Sequence, residues 1–214
     1  MTTKSPKSKT SPQARVERVA SARVPTRWGD FECVAYRDHV DGHEHLAFVN
    51  DPEGVDKSIP PVVRLHSECI TGDVFGSHRC DCGEQLDAAM KLAKVAERGV
   101  VIYMRGHEGR GIGLAEKIRA YTLQDRGMDT VEANLELGFE ADSRDFTAAA
   151  AILLDLGMPS VRLITNNPEK QRQVEEHGVA VVERVSAQTE PTASNLKYLR
   201  TKRDRMGHIL DIEA

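Results

Sequence analysis

Between residues 84 and 185 the chain alternates helical segments with short apolar strands, and this alternation restricts the fold more than any other feature. Residues with helical periodicity occupy four segments, each followed by a glycine: 84–98, 114–126, 146–156 and 168–177. Short apolar runs typical of buried strands occupy 100–103, 161–164 and 179–185. Strands that alternate with helices in this way indicate an α/β layer.

The first third of the chain has a different pattern. Residues 31–39 and 44–49 are predicted to be strands, and Asp41-Gly42 between them is typical of a hairpin turn. A further short strand, 62–66, follows a pair of prolines. We therefore predict an α/β (mixed α+β) fold. It has one mixed sheet with antiparallel N-terminal strands and flanking helices, in a single compact domain.

Charge is unevenly distributed along the 214 residues, whose net charge is −4. Residues 1–27 hold seven basic residues and one acidic residue, so they carry +6 and the remainder carries −10. We interpret 1–27 as a disordered basic tail and 28–210 as the folded domain, because the leader is poor in apolar residues. A transit peptide is the weaker alternative. The acidic body argues against nucleic acid as a partner, and the lack of a long apolar run argues against a membrane.

Four cysteines are present, and three of them, Cys69, Cys80 and Cys82, lie close together in the sequence. Without a secretory signal, clustered cysteines are metal ligands or reactive thiols more often than disulfides, so we expect a reducing compartment, the cytoplasm. Three thiolates suit Zn²⁺ and leave one position for water, which is typical of a catalytic site. Two alternatives stay open: a structural zinc site completed by His66 or His78, and buried free thiols.

Three further segments with polar or charged side chains lie directly before predicted helices. The glycine-rich loop 105–113 lies between a predicted strand and a helix, although it matches neither the Walker A nor the dinucleotide pattern. Segments 138–146 and 165–170 also precede helices, and ordinary helix capping explains them equally well. None of these segments identifies a ligand by itself.

Taken together, these stretches resemble GTP cyclohydrolase II. The resemblance extends over roughly residues 30–208. Its most specific parts are Arg64-Leu65-His66-Ser67-Glu68-Cys69, Arg79 to Leu86, Glu108-Gly109-Arg110 with Ile112-Gly113-Leu114, Ile118 to Tyr121, Asp129 to Asn134, Asp142 to Phe146, Leu163 to Pro168, Thr201-Lys202 and Met206-Gly207-His208. The family's run before Glu108 has Arg-Gln, whereas this chain has Gly106-His107 after Arg105 and is one residue longer.

The resemblance implies an enzyme, a hydrolase at the first step of riboflavin biosynthesis. GTP would lose C8 of its guanine as formate and its terminal phosphates as pyrophosphate, leaving 2,5-diamino-6-(5-phosphoribosylamino)pyrimidin-4(3H)-one. It also implies one Zn²⁺ per subunit, Mg²⁺ with the triphosphate, and a homodimer. Residues 1–27 are too few for a second enzyme domain, so we expect a monofunctional chain.

The resemblance also implies roles for individual positions. Cys69, Cys80 and Cys82 would bind zinc. GTP would be bound by Arg64, Leu65, His66, Ser67, Glu68, Gln85, Glu108, Gly109, Arg110, Thr130, Thr165 and Lys170. Asp142 would accept a proton, Tyr121 would complete the purine chemistry, and Arg144 would act as a nucleophile towards the α-phosphate. We favour charge stabilisation for Arg144, because a guanidinium stays protonated.

Two other functions compete with this interpretation. One is a homologue that opens the ring and stops at the formamidopyrimidine nucleotide; Tyr121 argues against it. The other belongs to a different class, a zinc-stabilised nucleic-acid-binding module with residues 1–27 as a basic arm. The charge of −10 on the rest of the chain argues against that module.

Overall fold

A computed structural model describes residues 14–212 of the chain. In this range a seven-stranded mixed sheet has the order β1-β2-β3-β5-β4-β6-β7. The strands are β1 (Val16–Thr26), β2 (Gly29–Asp38), β3 (Glu44–Asn50), β4 (Val62–Ser67), β5 (Gly99–Met104), β6 (Ser160–Ile164) and β7 (Ala180–Val185). Neighbours from β1 to β5 along this order are antiparallel, and β5, β4, β6 and β7 are parallel. The predicted mixed sheet with antiparallel N-terminal strands is confirmed.

Helices flank the sheet on both faces. They are α1 (Ile70–Asp73), α2 (Cys82–Val95), α3 (Leu114–Asp125), α4 (Thr130–Glu136), α5 (Thr147–Asp155), α6 (Pro168–Glu176) and α7 (Leu196–Met206). The four predicted helical segments are confirmed as α2, α3, α5 and α6, whereas α1, α4 and α7 were not predicted. Among residues 14–212, no helix combines the length and the apolar character needed to cross a membrane.

The core has two layers because the central strands are buried on both faces. On one face, Leu65 and Ile102 pack with Ile152 of α5 and with α6. On the other face, Val101 packs with Met90 of α2. Alternation of side chains along β5 therefore supplies both layers, as expected for a strand with helices on either side.

The prediction of a disordered basic tail over 1–27 is wrong for residues 16–26, which form β1, and the domain boundary at residue 28 was set too late. β1 pairs with β2 along its length, and Arg15 just before it is buried. The strand lies at the sheet edge and exposes most of its side chains, so it lacks the alternating apolar residues that would have indicated a strand. Residues 1–13 lie outside the described range.

The arrangement of the parallel strands determines where a site can form. β4, β5 and β6 end at the same edge of the sheet, and the chain continues there into the Cys69 segment, loop 105–113 and the Thr165 turn. Ligands of α/β proteins bind outside the carboxyl ends of such strands. The predicted site residues thus converge on this edge.

Candidate active site

Three thiols meet at the sheet edge. Cys69 follows β4, and Cys80 and Cys82 lie at the beginning of α2. Their sulfur atoms all lie within 4.8 Å of one another, and the Sγ atoms of Cys69 and Cys80 are 3.7 Å apart. Gly72 makes this approach feasible, since a Cβ there would lie 3.0 Å from the Cys80 sulfur. The sequence prediction that these cysteines form one cluster is confirmed.

The thiol cluster fits a zinc ion by its chemistry and its spacing. Sulfur atoms bound to tetrahedral Zn²⁺ at about 2.3 Å are about 3.8 Å apart, close to the Cys69–Cys80 distance of 3.7 Å. Among the described residues no histidine joins this group. The His66 Nε2 atom is instead 2.9 Å from the Asp73 carboxylate, and His78 is exposed. Three protein ligands are typical of a catalytic rather than a structural zinc site.

Lys117 of α3 adjoins the cluster. Its Nζ atom donates to Cys69 Sγ at 3.1 Å and to Thr71 Oγ1 at 2.9 Å, and it forms a buried ion pair with Glu108. The other Glu108 oxygen accepts from the backbone of Ile70 at 2.8 Å. The pKa of Cys69 is lowered because the neighbouring thiols of Cys80 and Cys82 donate to it and because Lys117 is close. Lys117 thus favours a thiolate at Cys69.

Lys117 was not predicted as a site residue. The available signal was its position: it shares the buried face of α3 with Ala120, one turn away. A lysine on the inward face of a helix needs a partner, and a buried carboxylate or thiolate supplies one.

A first cavity opens beside the thiols. Of the predicted residues it is lined by Ser67, Glu68, Cys69, Cys80, Cys82, Glu108, Gly109, Arg110, Tyr121, Thr130 and Arg144. The Tyr121 hydroxyl lies 3.3 Å from Thr71 Oγ1, and burial raises the pKa of this tyrosine, which keeps it protonated. The cavity thus combines a thiol cluster with a neutral phenol.

A second cavity adjoins the first, and both are lined by Ser67, Cys82, Arg110, Arg144 and Tyr198. Of the predicted residues it adds Arg64, His66, Gln85, Thr165 and Lys170. Lys202 of α7 lines it as well. Five basic side chains thus surround one cavity in a protein of negative net charge.

Several buried donors that line the second cavity find no hydrogen-bond partner within residues 14–212. They are Arg64 Nε, Asn166 Nδ2, and both Nη1 and Nη2 of Arg110. Arg110 also has a left-handed backbone, with φ of 68°. Unpaired buried donors are costly, so their concentration around one cavity indicates that an anionic ligand binds there.

Lys170 and Leu65 contribute in different ways to the second cavity. The Leu65 side chain is part of the core, and only its carbonyl faces the site, where it accepts from Lys170 Nζ at 2.8 Å. Burial, and then the nearby guanidinium groups of Arg64 and Arg144, lower the pKa of Lys170. An anion beside this lysine would therefore raise its pKa again.

Asp142 and Arg144 form a two-point ion pair. Arg144 donates from Nε to Asp142 Oδ1 at 2.8 Å and from Nη2 to the other carboxylate oxygen. Arg144 lines both cavities, whereas Asp142 is not among the residues that line either of them. The carboxylate therefore lies behind the guanidinium, which faces the site.

The C-terminal helix α7 supplies two cavity residues that were not predicted as site residues, Tyr198 and Lys202, although Lys202 belongs to one of the motifs that carry the resemblance. Lys202 donates to the buried carboxylate of Asp81 at 2.6 Å. Tyr198 lines both cavities, and burial raises its pKa. The helix is strongly polar and has few apolar residues, so periodicity gave little indication of it.

Comparison with known sequences identifies the family. A family profile described as GTP cyclohydrolase II matches residues 17–186. The chain belongs to the GTP cyclohydrolase II family. The match confirms the resemblance predicted from the motifs and, with it, the prediction of membership in an enzyme family. It begins at residue 17, so β1 is part of the GTP cyclohydrolase II domain.

Two relatives share more than half of their aligned residues with this GTP cyclohydrolase II domain. The riboflavin biosynthesis protein RibBA of Rhodococcus jostii is 57% identical over 210 residues, 94% of this chain and 50% of the relative. RibBA of Salinispora tropica is 57% identical over 198 residues, 92% of this chain and 49% of the relative. The chain thus spans about half the length of these curated relatives.

A solved structure is similar only remotely. RibBX of A. baumannii, a two domain 3,4-dihydroxy-2-butanone 4-phosphate synthase, aligns with a TM-score of 0.39 and 22% identity. The alignment covers 72% of this chain and 37% of RibBX. A likeness at this level supports no conclusion about the site.

Proposed function

We propose that this chain hydrolyses GTP to 2,5-diamino-6-(5-phosphoribosylamino)pyrimidin-4(3H)-one, formate and pyrophosphate. The observation that carries the proposal is the junction of two cavities. One holds three thiols suited to zinc, and the other is lined by buried cationic donors without partners among the described residues. A nucleoside triphosphate has a heterocycle for the first cavity and phosphates for the second.

Cys69, Cys80 and Cys82 are the residues that would hold Zn²⁺. When bound by three protein ligands, zinc lowers the pKa of a coordinated water towards 7 and so supplies a nucleophile for hydrolysis at carbon. The positive charge of Lys117 lies next to the Cys69 sulfur, and the ion pair of Lys117 with Glu108 holds that carboxylate at the wall of the same cavity. The guanine would therefore lie among Glu108, Tyr121 and the thiols.

The triphosphate would occupy the second cavity. Arg64, Arg110 and Lys170 would donate to its oxygens, and Arg110 has both terminal nitrogens free to do so within the described part of the chain. Mg²⁺ bound with the triphosphate would neutralise the leaving pyrophosphate, as in other phosphoryl-transfer sites. Thr165 and Gln85 line the same cavity and would complete the polar wall.

Arg144 suits charge stabilisation better than nucleophilic attack. Its pairing with Asp142 raises the pKa of the guanidinium still further, although burial opposes this. A group that holds its proton this firmly has no lone pair to offer to phosphorus. Asp142, the proposed proton acceptor, would act after its contact with Arg144 loosens, and Tyr121 would serve the later purine step.

The remaining parts of the proposal concern location and partners. Four free cysteines fit a reducing compartment, and we infer the cytoplasm. We also infer a homodimer, on the basis of the family, and no role for nucleic acid or membrane. The substrate is the small molecule GTP.

The test is product identification with purified protein, Zn²⁺, Mg²⁺ and GTP. We expect formate and pyrophosphate in equal amounts together with the diaminopyrimidine, detected by mass spectrometry. ATP under the same conditions serves as the control substrate and should give little product. Pyrophosphate without formate would contradict the proposal, and accumulation of a formylated ring-opened nucleotide would favour the alternative that stops at the formamidopyrimidine.

A further inference from the structure

His107 has no role in the proposed reaction, although it faces the first cavity. It belongs to the Gly106-His107 segment in which this chain departs from the family pattern. The side chain is buried, with 8% of the residue exposed, and its ring meets the Phe146 ring edge-on at 5.0 Å between centroids. A buried imidazole at the wall of a catalytic cavity requires an explanation in terms of its hydrogen bonds.

Two contacts connect His107 with Arg144. Arg144 Nη1 lies 3.3 Å from the Ser67 hydroxyl oxygen, and His107 Nδ1 lies 3.1 Å from the same oxygen. A guanidinium can only donate, so the Ser67 oxygen accepts from Arg144. Among the described residues, His107 Nδ1 is the one acceptor within hydrogen-bond distance of the Ser67 proton. The chain of bonds therefore runs from Arg144 to Ser67 to His107.

The protonation state of His107 is compatible with this direction. Burial, together with the nearby charges of Arg144 and Lys170, lowers the pKa of His107 to about 3. The imidazole is thus neutral at physiological pH, and the tautomer that can accept the Ser67 proton is the one with a lone pair on Nδ1 and the ring proton on Nε2.

The orientation of Arg144 follows from its partners on both sides. The Asp142 carboxylate accepts from Nε and Nη2 of Arg144, and the Ser67 hydroxyl oxygen accepts from Nη1. Two directed contacts on different edges of a planar group restrict its rotation. We propose that His107 is a positioning residue: by accepting the Ser67 proton, it fixes that hydroxyl as an acceptor and so holds Arg144 towards the substrate phosphate. This inference rests on the proposed function, because Arg144 matters only if it meets the substrate.

The first test is a double-mutant cycle with GTP as substrate. His107→Phe keeps an aromatic ring against Phe146 and removes the acceptor, so we expect kcat to fall about tenfold with KM changed less than about twofold. His107→Asn retains an acceptor and should recover most of the loss. In an Arg144→Lys background, His107→Phe should lower kcat by less than a further factor of about two, because the two residues act through one contact.

Structural damage and direct positioning give different results in this cycle. A packing role predicts equal losses for His107→Phe with and without Arg144, and equal losses for Phe and Asn at position 107; either result overturns the inference. Thermal unfolding of each variant is measured alongside. His39→Phe, at an exposed histidine, is the matched control and should leave kcat unchanged.

The second test needs no catalysis and separates this inference from the proposed function. Long-range ¹H–¹⁵N spectra of the protein should show an unprotonated Nδ1 for His107, assigned by its disappearance in His107→Phe. Ser67→Ala should shift that Nδ1 signal, because its donor is lost. A protonated Nδ1, or a signal indifferent to Ser67→Ala, overturns the inference. If the wild-type protein does not convert GTP, the proposed function is wrong. The spectrum still tests whether Ser67 donates to His107, because it does not depend on catalysis.

Discussion

At the level of single residues, Cys69 contacts other polar side chains as well as the two thiols clustered with it. Its sulfur lies near Cys80, Cys82, Lys117 and Thr71, whereas the fourth cysteine, Cys33, lies on β2. Sequence spacing was sufficient to predict this cluster because Cys80 and Cys82 are almost adjacent and Cys69 ends a strand. Spacing could not reveal the contact of Lys117 with Cys69 or that of Ser67 with His107, because the residues in each pair are 40 or more positions apart.

Removal of one clustered thiol should remove the metal. Cys80→Ser leaves two thiolates, too few to hold zinc at a catalytic site, so we expect loss of bound zinc and of formate release. Metal content of the purified protein and formate assays check this. Cys33→Ser, outside the cluster, is the control and should retain both. A fully zinc-loaded Cys80→Ser protein would show that another residue completes the site.

The hydroxyl of Tyr121 can be tested separately from its ring. Tyr121→Phe removes only the group that contacts Thr71 and retains the wall of the first cavity. We expect ring-opened, formylated triphosphate to accumulate, with the final product reduced by about tenfold or more. Mass spectrometry of the reaction mixture distinguishes the products, and an unchanged product would exclude this role for the hydroxyl.

Among the secondary-structure elements, β1 shows most clearly where sequence reasoning succeeds and fails. The hairpin β2–β3 and helices α2, α3, α5 and α6 were predictable because each has one face in the core. β1 exposes most of its side chains, and α7 buries only Leu199 and Thr201, so their positions depend on ion pairs and backbone pairing with distant segments. Such contacts leave no periodic pattern in the sequence.

Arg15 is the residue whose loss should detach β1. Its guanidinium pairs at 2.7 Å with Asp38, whose side chain is fully buried, and at 2.7 Å with Asp145. Arg15→Met would leave the Asp38 carboxylate without its charge partner, so we expect the free energy of unfolding to fall by about 3 kcal/mol. Chemical denaturation measures the change.

The matched control for Arg15→Met is Arg23→Met, in the same strand. Arg23 pairs with Asp30, but both side chains are largely exposed, so its replacement should have little effect on the midpoint of unfolding. Equal effects of the two substitutions would show that the burial of Asp38 is not what matters.

At the scale of the whole molecule, the site has positively charged side chains although the protein has a negative net charge. The net charge is −4, yet Arg64, Arg110, Arg144, Lys170 and Lys202 line one cavity. Their mutual repulsion and their burial lower the pKa of Lys170 in the free protein, and Asp142 opposes this only in part. An anion at this position reverses the balance because it favours the charged amine.

Binding of a nucleotide should therefore draw protons from solution. Lys170 has a lowered pKa in the free protein and a higher one beside an anion, so affinity for a GTP analogue that resists hydrolysis should weaken as pH increases between these two pKa values. Calorimetry in buffers with different ionisation enthalpies measures the uptake. Lys170→Met should abolish it, and uptake that persists in this variant would assign the proton to another group.

The two terminal nitrogens of Arg110, which have no hydrogen-bond partner within residues 14–212, have a consequence beyond the reaction. Buried donors that lack partners in the described part of the chain, and a left-handed backbone at Arg110, both disfavour the ligand-free form. A nucleotide that satisfies them stabilises the fold in proportion to its concentration above its dissociation constant. Cellular proteases act on transiently opened chains, so the lifetime of this protein in a cell should lengthen when its nucleotide is abundant and shorten when the pool is depleted.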